Sequence, residues 1–256
     1  MIAIALGEAV HPTRGFDLVL KQHGICRAIS TFEQLPTRAA RDYAARVLVR
    51  TLHAELVDRL KRTIQEAEGA APETARAPEL IGGRDWLFGD YTYYVDTSHL
   101  VSVLRISLEM TDRESLALAL ELAEYARRLS SNFQFKMEPP FDASYDDCAI
   151  YLRALLGQEA DRAVAHFRAK VEAGNPDDYG NMAAQVLVGL LGRLKRFGEA
   201  IDLSQQYLAG IPLQQLTCPS AAQLCQLAGD YSRLRKVARA SGDVVGYAAA
   251  AIQSRG

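Results

Sequence analysis

Between Thr37 and Glu68 the chain places Ala45, Leu48, Leu52, Leu56, Leu60 and Ile64 three or four residues apart, with no glycine or proline in the interval. That period belongs to a helix with one apolar face, and a strand, whose side chains alternate, cannot satisfy it. Arg46, Arg50, Arg59, Lys61 and Arg62, mixed with Asp58 and Glu66, fall mostly off that face and are expected to be solvated. Composition extends the argument to the whole chain. There are 39 Ala and 32 Leu against 36 Val, Ile and Thr together. Ala and Leu enter a helix at little cost, whereas β-branched residues stiffen there. The chain is expected to be all-α and to form a single domain over 1–256. Irregular helices fill 1–68, a linker and aromatic loop 69–97, and stacked helix pairs 98–256.

Charge excludes several classes. The 29 Lys+Arg against 31 Asp+Glu, with 49% hydrophobic residues, rule out a disordered chain and argue against a dedicated nucleic-acid binder. No run reaches the roughly 18 consecutive apolar residues of a membrane-spanning helix. Met1 to Leu6 is apolar but lacks a preceding basic stretch and stops at Gly7-Glu8, so it does not read as a secretory signal, and a cytoplasmic protein is expected. Cys26, Cys148, Cys218 and Cys225 are dispersed, without the paired spacing of a zinc site or disulfide framework, and read as buried apolar thiols.

Punctuation divides the rest. Phe16 to Leu35 reads as two short helices meeting near Gly24 and stopped by Pro36, after which Thr37 caps the long helix. Residues 69–85 hold Pro72, Pro78, Gly82 and Gly83 and read as a linker with a helical turn near Glu79–Ile81. Positions 86 to 94 carry five of the chain's 20 aromatic residues. Tyr91 to Val95 has strand propensity, but one short strand forms no sheet, so an extended loop packed on helices is expected. A helix follows from Thr97 or Ser98 to Met110. Thr111-Asp112-Arg113-Glu114 reads as a capping box opening the next, and Asn132 to Asp142 is a second long loop. Ser144-Tyr145-Asp146-Asp147 caps a helix ending near Gly157, and another spans Ala160 to Val171. Asn175-Pro176-Asp177-Asp178 opens one ending near Leu194, and its partner runs from Gly198 to Ala209. Short helices around 219–228, 231–240 and 243–253 are separated by Gly229-Asp230 and Gly242-Asp243.

One pattern recurs. Ala28-Ile29 is followed by Phe32, Ala163-Val164 by Phe167, and Ala200-Ile201 by Ser204, where the aromatic is missing; Pro36, Pro176 and Pro212 follow in turn. A small Ala lets a neighbouring helix come close, and the aromatic fills the groove between pairs. The stretch Ala184 to Pro212 carries Leu187, Val188 and Leu191, then Lys195-Arg196-Phe197-Gly198-Glu199-Ala200-Ile201. It resembles the tetratricopeptide repeat family over about 148–212, and more weakly over 15–36. It departs from the family at Ala184 (an aromatic there), Val188 (a small residue) and Lys195 (the turn glycine). The resemblance implies antiparallel helix pairs stacked as a right-handed solenoid with two long loops, and a concave surface, lined by the first helices, that binds a protein or peptide.

The sequence lacks the G-x-S-x-G, P-loop, H-E-x-x-H and G-x-G-x-x-G signatures. Asp146-Asp147 lacks a third carboxylate at Ile150, so it reads with Asp177-Asp178 as helix capping, not as a metal site. No histidine has another three or four residues away, and no metal or cofactor is expected. The remaining candidate site is the aromatic stretch: Trp86, Tyr91, Tyr93, Tyr94, Asp96, His99 and Arg105 as binding residues. A second reading places a small-molecule or acid/base site under residues 86–99, with His99 as acid/base and Asp96 orienting it. A third expectation is a homodimer: the helix bearing Val244, Val245, Tyr247 and Ala248 to Ile252 is apolar on several sides and should be buried or pair with a second copy.

Overall fold

The computed structural model describes residues 12–32, 34–35, 37–69, 81–84, 93–95, 98–108, 110–132, 145–174, 180–213 and 218–253. Among them lie eleven helices and one two-stranded ribbon. The chain divides into two compact units, 1–156 and 157–256.

In the first unit, α1 (Pro12–Phe32) is two helical pieces broken at Gly24, whose φ of 74° and ψ of −178° no helix contains. Phe16 and Val19 before the break, and Ala28 and Phe32 after it, are buried. In α2 (Arg38–Gly69) the Thr37 hydroxyl accepts the Ala40 N–H at 3.2 Å and the Thr37 carbonyl accepts the Arg41 N–H at 3.0 Å, the cap expected from sequence. α2 buries Ala40, Ala44, Ala45, Leu48, Val49, Leu52 and Val57. This band is wider than the single stripe read from spacing, because α2 packs against α1, α3 (Ser98–Ser107) and α4 (Arg113–Asn132). α4 presents Ala119, Ala123 and Ala126, and α5 (Tyr145–Leu155) lies on it, burying Cys148, Ala149, Tyr151 and Leu152.

Three expectations in this unit change. Of the helical turn expected near Glu79–Ile81, residues 79 and 80 lie outside the described residues and Ile81 opens a strand: β1 (Ile81–Arg84) pairs antiparallel with β2 (Tyr93–Val95). The extended loop thus has a partner of low strand propensity, which the sequence could not signal. The register slips by one residue between Ile81↔Val95 and Arg84↔Tyr93, where Gly82-Gly83 tolerates a bulge. Thr111 is not the cap of α4. Asp112 is: its carbonyl accepts the Leu116 N–H and its Oδ2 the Ser115 N–H, both at 3.0 Å. Thr111 instead donates its N–H to Asp42 Oδ1 at 3.1 Å, and Glu114 turns away to Arg50. Cys26 is exposed, whereas Cys148, Cys218 and Cys225 are buried.

The second unit is a run of six helices, α6 (Ala160–Ala173), α7 (Met182–Arg193), α8 (Phe197–Tyr207), α9 (Ala221–Ala228), α10 (Tyr231–Ser241) and α11 (Val244–Gln253), each packed on the next. α7 begins at Met182, later than the Asn175–Asp178 start read from sequence, and 175–179 lie outside the described residues. The recurring motif is buried in two copies, Ala163, Val164 and Phe167 in α6 and Ala200, Ile201 and Ser204 in α8, while in the first unit Ala28 and Phe32 are buried and Ile29 is half-buried.

Its turns share one chemistry. After α7, the Arg196 N–H reaches the Leu191 carbonyl at 2.9 Å and the Lys195 N–H the Gly192 carbonyl at 3.2 Å. After α9, the Asp230 N–H reaches the Cys225 carbonyl at 2.9 Å, and after α10 the Asp243 N–H reaches the Ala238 carbonyl at 2.8 Å. This closure needs a left-handed residue one position earlier. Gly229 (φ 68°) and Gly242 (φ 72°) supply it, and Lys195 (φ 60°) holds the same conformation against its Cβ. Asp230 and Asp243 then cap the following helices, accepting the Arg233 and Gly246 N–H groups at 2.9 Å. Ion pairs lace alternate helices: Arg168 of α6 with Glu199 of α8 at 2.9 Å, and Asp202 of α8 with Arg233 of α10.

Replacing Lys195 by Gly is expected to stabilise the chain by about 0.5–1 kcal/mol, relief of left-handed strain exceeding the added backbone entropy. Gly229→Ala is expected to destabilise by about 1 kcal/mol, since nothing crowds its Cβ position and only the backbone conformation is penalised. Urea titrations of both variants check the signs. In a thiol-labelling experiment under native conditions Cys26 is expected to react quickly. Cys148 and Cys218, whose thiols burial pushes up to about 12, react only after unfolding.

Candidate functional site

Of the residues singled out in sequence, Trp86, Tyr91 and Asp96 lie outside the described residues. Tyr93 and Tyr94 lie in β2 and His99 in the first turn of α3, with side chains that also lie outside the description. Arg105 is exposed in the last turn of α3.

The histidine–carboxylate contact that is described lies elsewhere. His53 on α2 meets Glu121 on α4, Nε2 to Oε2 at 2.7 Å, and Lys61 Nζ reaches Glu121 Oε1 at 3.3 Å and stands 5.6 Å from the Tyr125 ring centre. One turn before His53 on α2, Arg50 pairs with Glu114 at 3.0 Å and Asp112 at 3.7 Å. Part of the face of α2 expected to be solvated is therefore a polar seam against α4. Burial raises the Glu121 carboxyl, but bonds from His53 and Lys61 outweigh it and hold the group below its ordinary 4.5. A second seam continues on α4, where Glu124 meets Arg127 at 2.9 Å and also Arg153 of α5, and Arg127 reaches Asp146 at 3.5 Å. Asp146 thus pairs across helices in addition to lying in the first turn of α5, while its neighbour Asp147 is buried. These charges are spent on holding helices together. Among the described residues no three His, Cys, Asp or Glu side chains gather as a metal would require.

The second place of interest is α11. It turns Gly246 and Ala250 into the unit, where a Cβ on Gly246 would run into the Asp243 carboxylate. Val244, Val245 and Ile252 are 77%, 80% and 71% exposed. With Ala248, also exposed, they occupy adjoining positions on the helix surface, spaced by one, four and eight residues from Val244. Beside them on α10, Arg235 donates from Nε to the Tyr247 hydroxyl at 3.3 Å, its guanidinium 5.4 Å from the ring centre. Arg239, exposed, follows one turn on, and Lys236 is exposed as well.

No family model, curated protein or solved structure matches this chain. The functional reading therefore rests on these residues. The sequence had flagged α11 as too apolar to stand free, yet had offered no means of telling which of its sides is open. The His53–Glu121 contact was not legible at all, since the two residues are 68 positions apart. No described helix is long and apolar enough to cross a membrane.

A carboxyl held low in the folded state contributes stability that is complete above its ordinary value and is lost as pH falls through the folded one. Acidification below about 4.5 is expected to lower the melting midpoint of the wild type more than that of Glu121→Gln. Calorimetry from neutral pH to pH 3 reads the difference, and parallel curves for the two proteins would contradict the assigned role.

Proposed function

We propose that the chain is a protein-interaction module, a divergent tetratricopeptide-like array of antiparallel helix pairs. Support comes from the left-handed residue Lys195 at the position of the family's turn glycine. The buried Ala-Val-x-x-Phe and Ala-Ile-x-x-Ser motifs and the ion pairs between α6, α8 and α10 support it too. In the family's usual arrangement the partner lies on the first helices of the pairs. Here Ala184 to Leu191, eight consecutive residues of the first helix α7, are all buried, so that helix has no open face over this stretch. The docking surface falls instead on α11.

The observation that carries this reading is the trio Val244, Val245 and Ile252 in water. Exposing such side chains forgoes roughly 25 cal/mol per Å² of apolar surface, a cost that a bound partner removes. The exposed face of the adjoining helix α10 is solvated by charge, through Arg235, Lys236 and Arg239.

The double substitution Val244→Glu/Val245→Glu is expected to leave helicity unchanged and stability within about 0.5 kcal/mol of wild type, since both sites are exposed. It is expected to abolish photo-cross-linking of a partner from a reactive side chain placed at position 248. Cross-linking that persists in the folded double variant would remove α11 as the docking surface.

A further inference from the structure

Resting on that reading of α11 as a docking surface, the geometry points to a specific chemistry for the partner: an amphipathic helix whose apolar stripe is flanked by carboxylates. Three observations converge. The open strip of α11 is straight and lies on a helix, with Val244, Ala248 and Ile252 in one row and Val245 beside them. Rows at this spacing accept the ridge of a second helix, as each helix in this unit already accepts its neighbour. The strip is apolar throughout, so the matching stripe must be apolar too.

The rim is predominantly basic. Residues 231–253 contain four Lys/Arg and one Asp, although the whole chain has 29 basic against 31 acidic residues. The Asp is Asp243, whose Oδ1 is taken by the Gly246 N–H. Arg233 is neutralised by Asp202 of α8. Arg235, Lys236 and Arg239 remain; Arg235 and Arg239 lie one turn apart on α10, and Arg235 is anchored to Tyr247 of α11 itself. The Arg235 guanidinium stands on Tyr247 of α11, Arg239 follows one turn along α10, and no carboxylate of α10 or α11 pairs with either. A partner carrying Glu or Asp beside its apolar stripe completes both terms at once, and the acids set its orientation.

The same rim disfavours the other occupants. A second copy docking α11 on α11 about a two-fold axis would bring the two arginine rims together. A membrane surface would meet the basic rim, but the strip offers it only Val, Ala and Ile, without the Trp, Phe or Leu that anchor interfacial helices.

The test uses the full chain and two synthetic 18-residue helices. Both are apolar at every third or fourth position; one is flanked by Glu and its twin by Lys, and fluorescence anisotropy follows binding of each. The Glu helix is expected to bind at least tenfold more tightly than the Lys twin, and to weaken severalfold between 50 and 300 mM salt. Arg235→Glu/Arg239→Glu, folded by circular dichroism, is expected to invert the preference. Val245→Glu is expected to abolish binding of both helices. Equal binding of the twins, or no inversion in the charge-reversed variant, overturns the acidic partner while leaving α11 as a docking surface. Binding that survives Val245→Glu removes α11 as well. A dimer in light scattering that Val245→Glu splits assigns the strip to a second copy and overturns the proposal. So does binding to phosphatidylserine vesicles with none to the Glu helix.

Discussion

Close approach of helices through alanine is the constraint on which the remaining structure depends. α4 meets its neighbours with Ala119, Ala123 and Ala126, α6 with Ala163, α8 with Ala200, α10 with Ala238 and α11 with Gly246 and Ala250. A side chain of one carbon or none lets backbones approach to the short end of the usual interhelical range, so that dispersion and exclusion of water act along whole turns. Each alanine buries little area by itself. The larger side chains on the same faces, Phe32, Leu104, Leu122, Tyr151 and Phe167, must therefore fill the grooves, and each is buried. An alanine-rich helix cannot gain this alone, which is why every described helix is packed on at least one other.

Once helices are held this way, the connections have little freedom. A left-handed residue closes one helix and an aspartate opens the next after a single step, as in Gly229-Asp230 and Gly242-Asp243. Such a turn satisfies the last carbonyls of one helix and the first amides of the next with no intervening loop. Lys195-Arg196 has the same backbone without the same residues. Arg196 instead directs its guanidinium to Glu199 and Asp161, and its bonds to Glu199 hold that carboxyl below its ordinary value, with Arg168 adding to the effect.

Charge in this protein serves mainly to fix which helix lies beside which. Exposed pairs of this kind are individually worth little, but their placement is selective. Arg50, His53 and Lys61 of α2 all find carboxylates at the N-terminus or along the length of α4, and Glu124 joins α4 to α5. Arg235 and Arg239 play no such part: no carboxylate of α10 or α11 pairs with them, and they lie on the helix next to the exposed Val244, Val245 and Ile252.

Helices and turns were legible because their causes are local. Apolar spacing gave α2, Thr37 its cap, Gly24 its break, and the Gly-Asp pairs the boundaries of α9, α10 and α11. The tertiary structure decided whatever depends on residues distant in the chain. Asp42 draws Thr111 away from the cap of α4 and leaves that role to Asp112; β1 pairs with β2 despite its glycines; Glu121 meets His53 across two helices. It also decided which side of α11 is open. The nine-residue run Val244–Ile252, without a charged residue, has no charged face to declare its orientation, so only packing against α10 could select Gly246 and Ala250 for the interior and leave Val244, Val245 and Ile252 outside.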